Sequence, residues 1–433
     1  MSPNGTPACE RSLVTDTKPV ILIVIDGLTP SMLEATDTPM LRFLLEAGTY
    51  RRSVSTFPSL TPVCLASIAT GGHADVHGIP HLVWWNREDE RLVEYGSSFG
   101  ALVASGIARG LRDSIINLNE HHLLRSAETV FESLEDAGLT TAAINITTYR
   151  GRNRHTSAVP GLPPVYGPKR FFYYSIYESD RTGATVAFGA AFRNRAGGSI
   201  DAYAGQVGRW LVTRDAFDLL VFYLPDYDYA SHASGPDTAH LALARTDAAI
   251  AALVDAAGGR DEFLERYAVV LCSDHGQSRI DQVARLEVSG ALVTASNRAA
   301  MLYGKDPRQL AAALDHEPSV DLTLFLDGGE LVARRAGDED VTLLDEFLDG
   351  RVRAEAALHN PNAGEVLVSA APGWEFADLG GGSHIGGGSH GSLAAEDSEV
   401  PMLTIGLGEP PASITEIKAL VLAHFGVGVA RVA

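Results

Sequence analysis

Four segments of the chain, 20–25, 141–146, 219–224 and 268–272, are mostly apolar and rich in β-branched or aromatic residues. Half-exposed strands alternate in polarity, so runs of this kind predict strands buried on both faces. Helical spacing of apolar positions fills the intervals. Thr38-Pro39 opens a predicted helix over 40–46 that stops at Gly48, and a second over 126–136 stops at Gly138. A long Ala-rich helix is predicted over 237–257, ending in Gly258-Gly259. Strands alternating with helices predict an α/β fold, a mostly parallel central sheet with helices on both faces.

The pattern changes near residue 280. Alternating segments at 322–326 and 331–333, joined by Asp327-Gly328-Gly329, predict a β-hairpin, and helical patterns flank it at 307–314 and 343–348. Residues 280–364 therefore read as a smaller α+β insertion that shapes access to a site on the main sheet. The chain is expected to return to that sheet through 365–369. A glycine-rich loop at 380–391, a strand at 402–405 and a last helix near 413–423 follow. The predicted core is then 18–279 together with 365–433, preceded by a flexible tail at 1–17.

Composition narrows the partners. The 433 residues carry a formal net charge of −20 and no run of four basic residues, which argues against a nucleic-acid surface. Three cysteines, Cys9, Cys64 and Cys272, are too few for a disulfide framework. The polar start and the lack of any apolar run near about 18 residues predict a cytoplasmic protein with no membrane partner. Oligomeric state leaves no mark in the pattern.

Candidate chemistry lies at the strand ends. Asp26, Asp228 and Asp274 each fall within about four residues of the end of a predicted strand, where open parallel sheets collect their ligands. Asp228 and His232, four apart, would share a helix face or wrap one turn, and His275 adjoins Asp274. His390 lies in the glycine-rich loop. Together these are six oxygen and nitrogen ligands, enough for two adjacent divalent metals. Asp226 competes with Asp228, and the spacing to His232 favours Asp228. His384 competes with His390, and the following Gly391 and the 392–398 stretch favour His390. Thr61-Pro62, ahead of an apolar run to Gly71, predicts Thr61 as a helix N-cap with its hydroxyl at the positive end of the dipole. A divalent cation beside that hydroxyl would help it lose its proton and attack phosphorus. The residues alone thus describe a di-metal hydrolase on a parallel sheet.

These motifs occur in a telling order. Asp26 is followed by PheProSerLeuThr at 57–61, HisGlyIle at 77–79, AspTyrAlaSerHis at 228–232, SerAspHisGly at 273–276 and HisGly at 390–391. The chain resembles the alkaline phosphatase superfamily over nearly its whole length, and within it the nucleotide pyrophosphatase/phosphodiesterase branch. The resemblance implies two Zn2+ ions, or other divalent metals such as Mn2+. One would be held by Asp228, His232 and His390, the other by Asp26, Asp274 and His275 with Thr61. It implies in-line attack by Thr61 on a small phosphorylated substrate, with nucleotides among the candidates, through a phosphothreonine that water then hydrolyses. Phosphodiester or pyrophosphate cleavage is the first expectation, phosphomonoester hydrolysis the second and C–P cleavage of a phosphonate the third. Sulfatases of the superfamily carry Cys or Ser as nucleophile and Arg four residues on, whereas this chain has Thr61 and Leu65. A catalytically dead binding relative is disfavoured by the complete ligand set.

One position departs from the branch. Its usual Asn, which holds a nonbridging phosphoryl oxygen, is Leu82 here, with no side-chain donor. Asn86 nearby is one candidate to replace it. The basic cluster Arg150, Arg152, Arg154 and His155 is another, since Arg forks suit phosphate oxygens. Among Phe57, Trp84, Trp85, Tyr227 and Tyr229, the two tyrosines flank Asp228 and are the better candidates to stack a base or an aryl leaving group.

Overall fold

The computed structural model describes residues 17–179 and 199–428, so the expected tail, apart from Thr17, and Cys9 lie outside the described residues. Val20–Ile25 is buried along its whole length, and its side chains divide strictly by parity. Ile21, Ile23 and Ile25 enter one apolar layer, while Val20, Leu22 and Val24 enter the other. Leu219–Leu224 and Ala268–Cys272 divide in the same way. Each fully buried Ile, Leu or Val contributes about 1.5–3 kcal/mol relative to exposure, so these runs are stable only with both faces covered.

The cover is helical. Pro39–Ala47, Ile200–Val212 and His240–Ala257 pack on one face, through residues such as Leu41, Val207 and Leu253. Thr61–Thr70, Val130–Asp136 and Ile417–His424 pack on the other, through Leu65, Phe131 and Val421.

The sheet has eight strands in the order Thr49–Val54, Glu399–Ile405, Ala268–Cys272, Val20–Ile25, Leu219–Leu224, Thr141–Ile144, Arg170–Tyr173, Tyr177–Glu178. The five from Ala268–Cys272 to Arg170–Tyr173 run parallel, and the flanking pairs are antiparallel. The mostly parallel α/β fold predicted above is therefore the one observed. Boundaries moved by a few residues. The predicted 141–146 strand ends at Ile144 because Asn145 turns to φ +60°, and the predicted 343–348 helix is a 3-10 turn, Val341–Glu346. Among the described residues no helix is long and apolar enough to cross a membrane.

A second, antiparallel sheet of six strands follows the order Leu292–Ser296, Ala299–Tyr303, Val366–Ala370, Val320–Asp327, Glu330–Arg335, Asp338–Glu339. The hairpin around Gly328-Gly329 forms as predicted, with Asp327 opposite Glu330. The expected return strand is corrected: Val366–Ala370 is a central strand of this smaller sheet, not of the large one. Its apolar run suits either place, because the smaller sheet is also covered on both faces. Leu310 and Leu314 lie on one side, Ala357 and Leu358 on the other.

Candidate metal centre

The parallel strands of the large sheet deliver their acidic residues to one edge. Asp26 follows Val20–Ile25, and its N–H donates to Leu224 O of the neighbouring strand at 3.1 Å. Asp228 lies in the first turn of Asp226–Ser234, immediately after Leu219–Leu224, and His232 one turn later shares its face. Asp274 and His275 follow Ala268–Cys272. His390 arrives from the glycine-rich loop, through the short strand Gly388–Ser389 that pairs with Ser278–Arg279. Thr61 opens Thr61–Thr70 as its first residue; the cap position is Leu60, which corrects the N-cap expectation. The helix behind Thr61 is buried throughout, so the half-buried Thr61 is the one residue of it that faces out.

The ligand atoms converge. Thr61 Oγ1, Asp26 Oδ1 and Asp274 Oδ2 lie 3.1, 3.2 and 3.5 Å from His275 Nε2. His232 Nε2 is 3.3 Å and His390 Nε2 4.0 Å from the two oxygens of Asp228. The His275 and His390 rings stack with centroids 3.6 Å apart. Two sets of three bring their ligand atoms within 4.8 Å: Asp26, Asp274 and His275, and Asp228, His275 and His390. His275 therefore stands at the junction of both sets, and His232 joins the second through Asp228.

The donor set fits cations. Each histidine directs Nδ1 at a backbone carbonyl: His232 at Gly388 O (2.7 Å), His275 at Gly276 O (3.0 Å) and His390 at Ser59 O (2.7 Å). A carbonyl only accepts, so Nδ1 carries a proton and Nε2 is the nitrogen turned to the cluster, the one that would ligate a cation, as in metal-ligating imidazoles. Asp26 Oδ1 and Asp274 Oδ2 are buried and lack a hydrogen-bond partner, an arrangement that is costly unless a cation meets them. Electrostatics agree. Burial, then the Asp228 charge, pushes the Asp26 carboxyl well above its ordinary range. Burial, then Asp26, does the same to Asp274. Asp228 is also buried, but His232, His390 and His275 outweigh that and hold its carboxyl below the usual range. His232 is opposed by burial yet raised to about 9 by Asp228. Three buried carboxylates beside three histidines are thus short of positive charge, which two divalent ions would supply.

Residues outside the motifs hold the ligands in place. The Tyr223 hydroxyl donates to Asp26 Oδ2, and Gln277 Nε2 donates to Asp228 Oδ1 at 2.5 Å. Gly27 N donates to Asp274 Oδ1 at 3.1 Å. Asn297 does not hold a ligand from behind; it faces the cluster itself, its Nδ2 3.0 Å from His390 Nε2. Sequence reasoning missed these four. Gln277 adjoins SerAspHisGly and Tyr223 is a polar tip within an apolar strand, both usable signals, whereas Asn297 is nearly 100 residues from its partner.

Other expected site residues are placed elsewhere. Asp226 accepts from Ile200 N (3.0 Å) and Asp201 N (3.3 Å), at the N-terminus of Ile200–Val212. His384 pairs its Nδ1 with Glu375 at 2.8 Å and stacks on His232 at 4.1 Å, behind the ligands. The basic cluster is a correction. Arg150 is buried and donates to Glu132 and to the carbonyls of Leu123, Leu124 and Ala127. Arg152 pairs with Glu128, Glu132 and Asp136. His155 bonds Pro168 O at 2.8 Å against Phe171. Glu132 also closes a capping box with Thr129, so Arg150 and Arg152 are engaged in tying down a helix start, while Arg154 is exposed beside them. Tyr227 is likewise corrected: it is fully buried and its hydroxyl donates to Pro236 O at 3.0 Å. Tyr229 is 56% exposed. Asn86 forms the turn of the Val83–Asn86/Arg91–Glu94 hairpin, its Oδ1 accepting from Glu88 N and Asp89 N and its Nδ2 donating to Asp89, so its donor serves the turn. Leu82 packs on the apolar cluster of Leu60, Val63 and Trp84.

The profile of the family described as type I phosphodiesterase / nucleotide pyrophosphatase matches residues 20–393. The chain belongs to this family. Membership supports phosphoester hydrolysis as the class of reaction. Solved structures of similar fold include the phosphonoacetate hydrolase of Sinorhizobium meliloti 1021 with phosphonoformate. That structure is 18% identical, with a TM-score of 0.62 over 94% of this chain and 96% of that one. Murine ectonucleotide pyrophosphatase / phosphodiesterase 5 is 15% identical, with a TM-score of 0.62 over 95% of this chain and 96% of that one. An inactive threonine-to-alanine variant of the murine protein, in complex with AMP, is 14% identical, with a TM-score of 0.63 over 95% and 96%. At these identities the likeness shows a shared fold. No curated protein matches the sequence.

Proposed function

We propose that this protein hydrolyses a phosphodiester or pyrophosphate bond in a small substrate, with Thr61 as nucleophile and two divalent cations, Zn2+ by the character of the N/O donor set. The observation that carries the reading is Thr61 Oγ1, at a helix start, 3.1 Å from the nitrogen on which Asp26 and Asp274 also converge. Asp26, Asp274 and His275 would hold one cation, and Asp228, His232 and His390 the other. When bound, the cations stabilise charge on the attacking and leaving oxygens. The chain supplies the geometry. Its buried helix fixes Thr61, and three carbonyls fix the histidine tautomers. The Thr61 Oγ–P bond forms as the P–O bond to the leaving group breaks in line; water then cleaves the phosphothreonine, restoring the hydroxyl and releasing the phosphorylated product. Tyr229 is the exposed aromatic beside Asp228 that would meet a base or aryl group.

The inactive AMP-bound threonine variant of the murine relative fits this assignment. The phosphomonoester alternative loses its main support, because the extra positive charge it needs was expected from Arg150 to His155. The phosphonate alternative gains weight from the Sinorhizobium hydrolase of the same fold. Initial rates of the zinc-loaded protein on bis(p-nitrophenyl) phosphate, p-nitrophenyl phosphate and phosphonoacetate separate the readings. The diester is expected to turn over fastest, with Thr61→Ala at least about 10³-fold slower. Faster phosphonoacetate turnover would move the assignment to C–P cleavage. A protein that binds no metal and turns over none of the three would instead be a binding relative.

A further inference from the structure

The smaller sheet reaches the candidate metal centre through the two-residue turn Asn297-Arg298 between Leu292–Ser296 and Ala299–Tyr303. Asn297 adopts φ +56°, the left-handed conformation that suits Asn in such a turn. Its backbone is clamped: Phe376 N donates to its carbonyl at 2.7 Å, and Arg298 N donates to His390 O at 2.9 Å. Arg298 is buried and paired with Asp397 at 2.8 Å, which ties the turn to the loop that carries His390.

The side chain is oriented as firmly. Ser296 Oγ donates to Asn297 Oδ1 at 3.0 Å, which leaves Nδ2 as the end facing His390 Nε2, also at 3.0 Å. His390 Nδ1 gives its proton to Ser59 O, so Nε2 accepts and the amide donates. That acceptor is the lone pair a metal would take. Once it is taken, a nearly buried amide N–H faces the site without a partner, and an unpaired buried donor is costly. Beside it lies a cavity of about 110 Å³, lined by Ser98, Ser296, Asn297, Glu375, Ser383 and His384.

We propose that Asn297 Nδ2 binds a nonbridging phosphoryl oxygen and so supplies, from the smaller sheet, the donor that Leu82 cannot. The inference rests on the phosphoryl-transfer reading and adds a residue to it. A preorganised donor of this kind acts where charge develops in the transition state, and removing one typically lowers kcat by about 10²–10³-fold.

The test uses the zinc-loaded full chain and two variants. Asn297→Gly keeps the left-handed turn and removes the amide; Asn297→Asp keeps the shape and turns a donor into an acceptor. Zinc content is measured by mass spectrometry, binding of inorganic phosphate by titration calorimetry, and turnover on the best substrate found above. Both variants are expected to retain two zinc ions per chain. Phosphate affinity should fall at least about tenfold in Asn297→Gly and further in Asn297→Asp, and kcat by about 10²–10³-fold. Wild-type phosphate affinity in both variants overturns the proposal. So does loss of a zinc ion from both, which would make Asn297 a positioning residue for His390. A wild-type protein that holds zinc but neither binds phosphate nor turns over any ester overturns the functional reading itself, and this inference with it.

Discussion

Tyr223 shows how much a single hydroxyl does in this site. Its ring belongs to the apolar core of the sheet, and its hydroxyl donates to Asp26 Oδ2. Tyr223→Phe keeps the ring and removes the donor. Zinc affinity is expected to weaken by about 10–100-fold, as read by chelator competition, with the fold intact. Unchanged affinity would show that Asp26 needs no such support. Gly27 is constrained in another way. At φ +65° it has no room for a side chain, since a Cβ there would lie 2.5 Å from Gln277 Nε2 and 2.8 Å from Asp228 Oδ1. At this scale the convergence of the candidate ligands was legible because each lies beside a strand end or a glycine turn, or, like His232, one helical turn from a residue that does. Arg150 and Arg152 were misread because sequence does not display their acidic partners, Glu132 above all, some 20 residues away.

Among elements, Asp226–Ser234 does two jobs two residues apart. Asp228 points into the candidate metal centre, while the Asp226 carboxylate accepts the first N–H groups of Ile200–Val212. Asp226→Ala should therefore cost about 1 kcal/mol of stability in urea denaturation, as the loss of a helix N-terminal acceptor does, while leaving both zinc ions bound. Loss of zinc would instead make Asp226 part of the ligand set. The central buried strands and the longer helices were readable from apolar periodicity, whereas the largely exposed edge strand Thr49–Val54 was not, and the 343–348 helix is a 3-10 turn. The sheet to which Val366–Ala370 belongs was not readable either, because two covered sheets impose the same apolar pattern on their central strands.

For the whole molecule, buried acids make the metal-free fold sensitive to pH. Burial, then Asp226, raises Asp201 from 3.8 to about 8, and Asp26 and Asp274 are raised too. His232 stands at about 9 against an ordinary 6.5. Between pH 6.5 and 8 the fold keeps protons on these groups that the unfolded chain has released, so stability falls as pH rises. Histidines held neutral by burial, such as His77 at about 3 and His81 at about 4, oppose this only below pH 6.5, where the unfolded chain protonates them. Calorimetry of the metal-free protein should show a falling Tm from pH 6.5 to 8, with Asp201→Asn flattening the slope. Added zinc should raise Tm more at pH 8 than at 6.5, because fewer protons compete for the ligands. A flat metal-free profile would mean that these carboxyls are ionised in the fold.

The sequence by itself determined the parallel sheet, since only burial on both faces accommodates unbroken apolar runs such as 20–25 and 219–224. It also determined which acids and imidazoles stand at the strand ends, because strand termination is local. Tertiary structure decided what those residues meet. Packing placed His275 in both candidate ligand sets, paired Arg150 and Arg152 with Glu132, and brought Asn297 of the smaller sheet to His390. Each depends on contacts between segments that only packing brings together, and the spacing of residues along the chain carries no record of them.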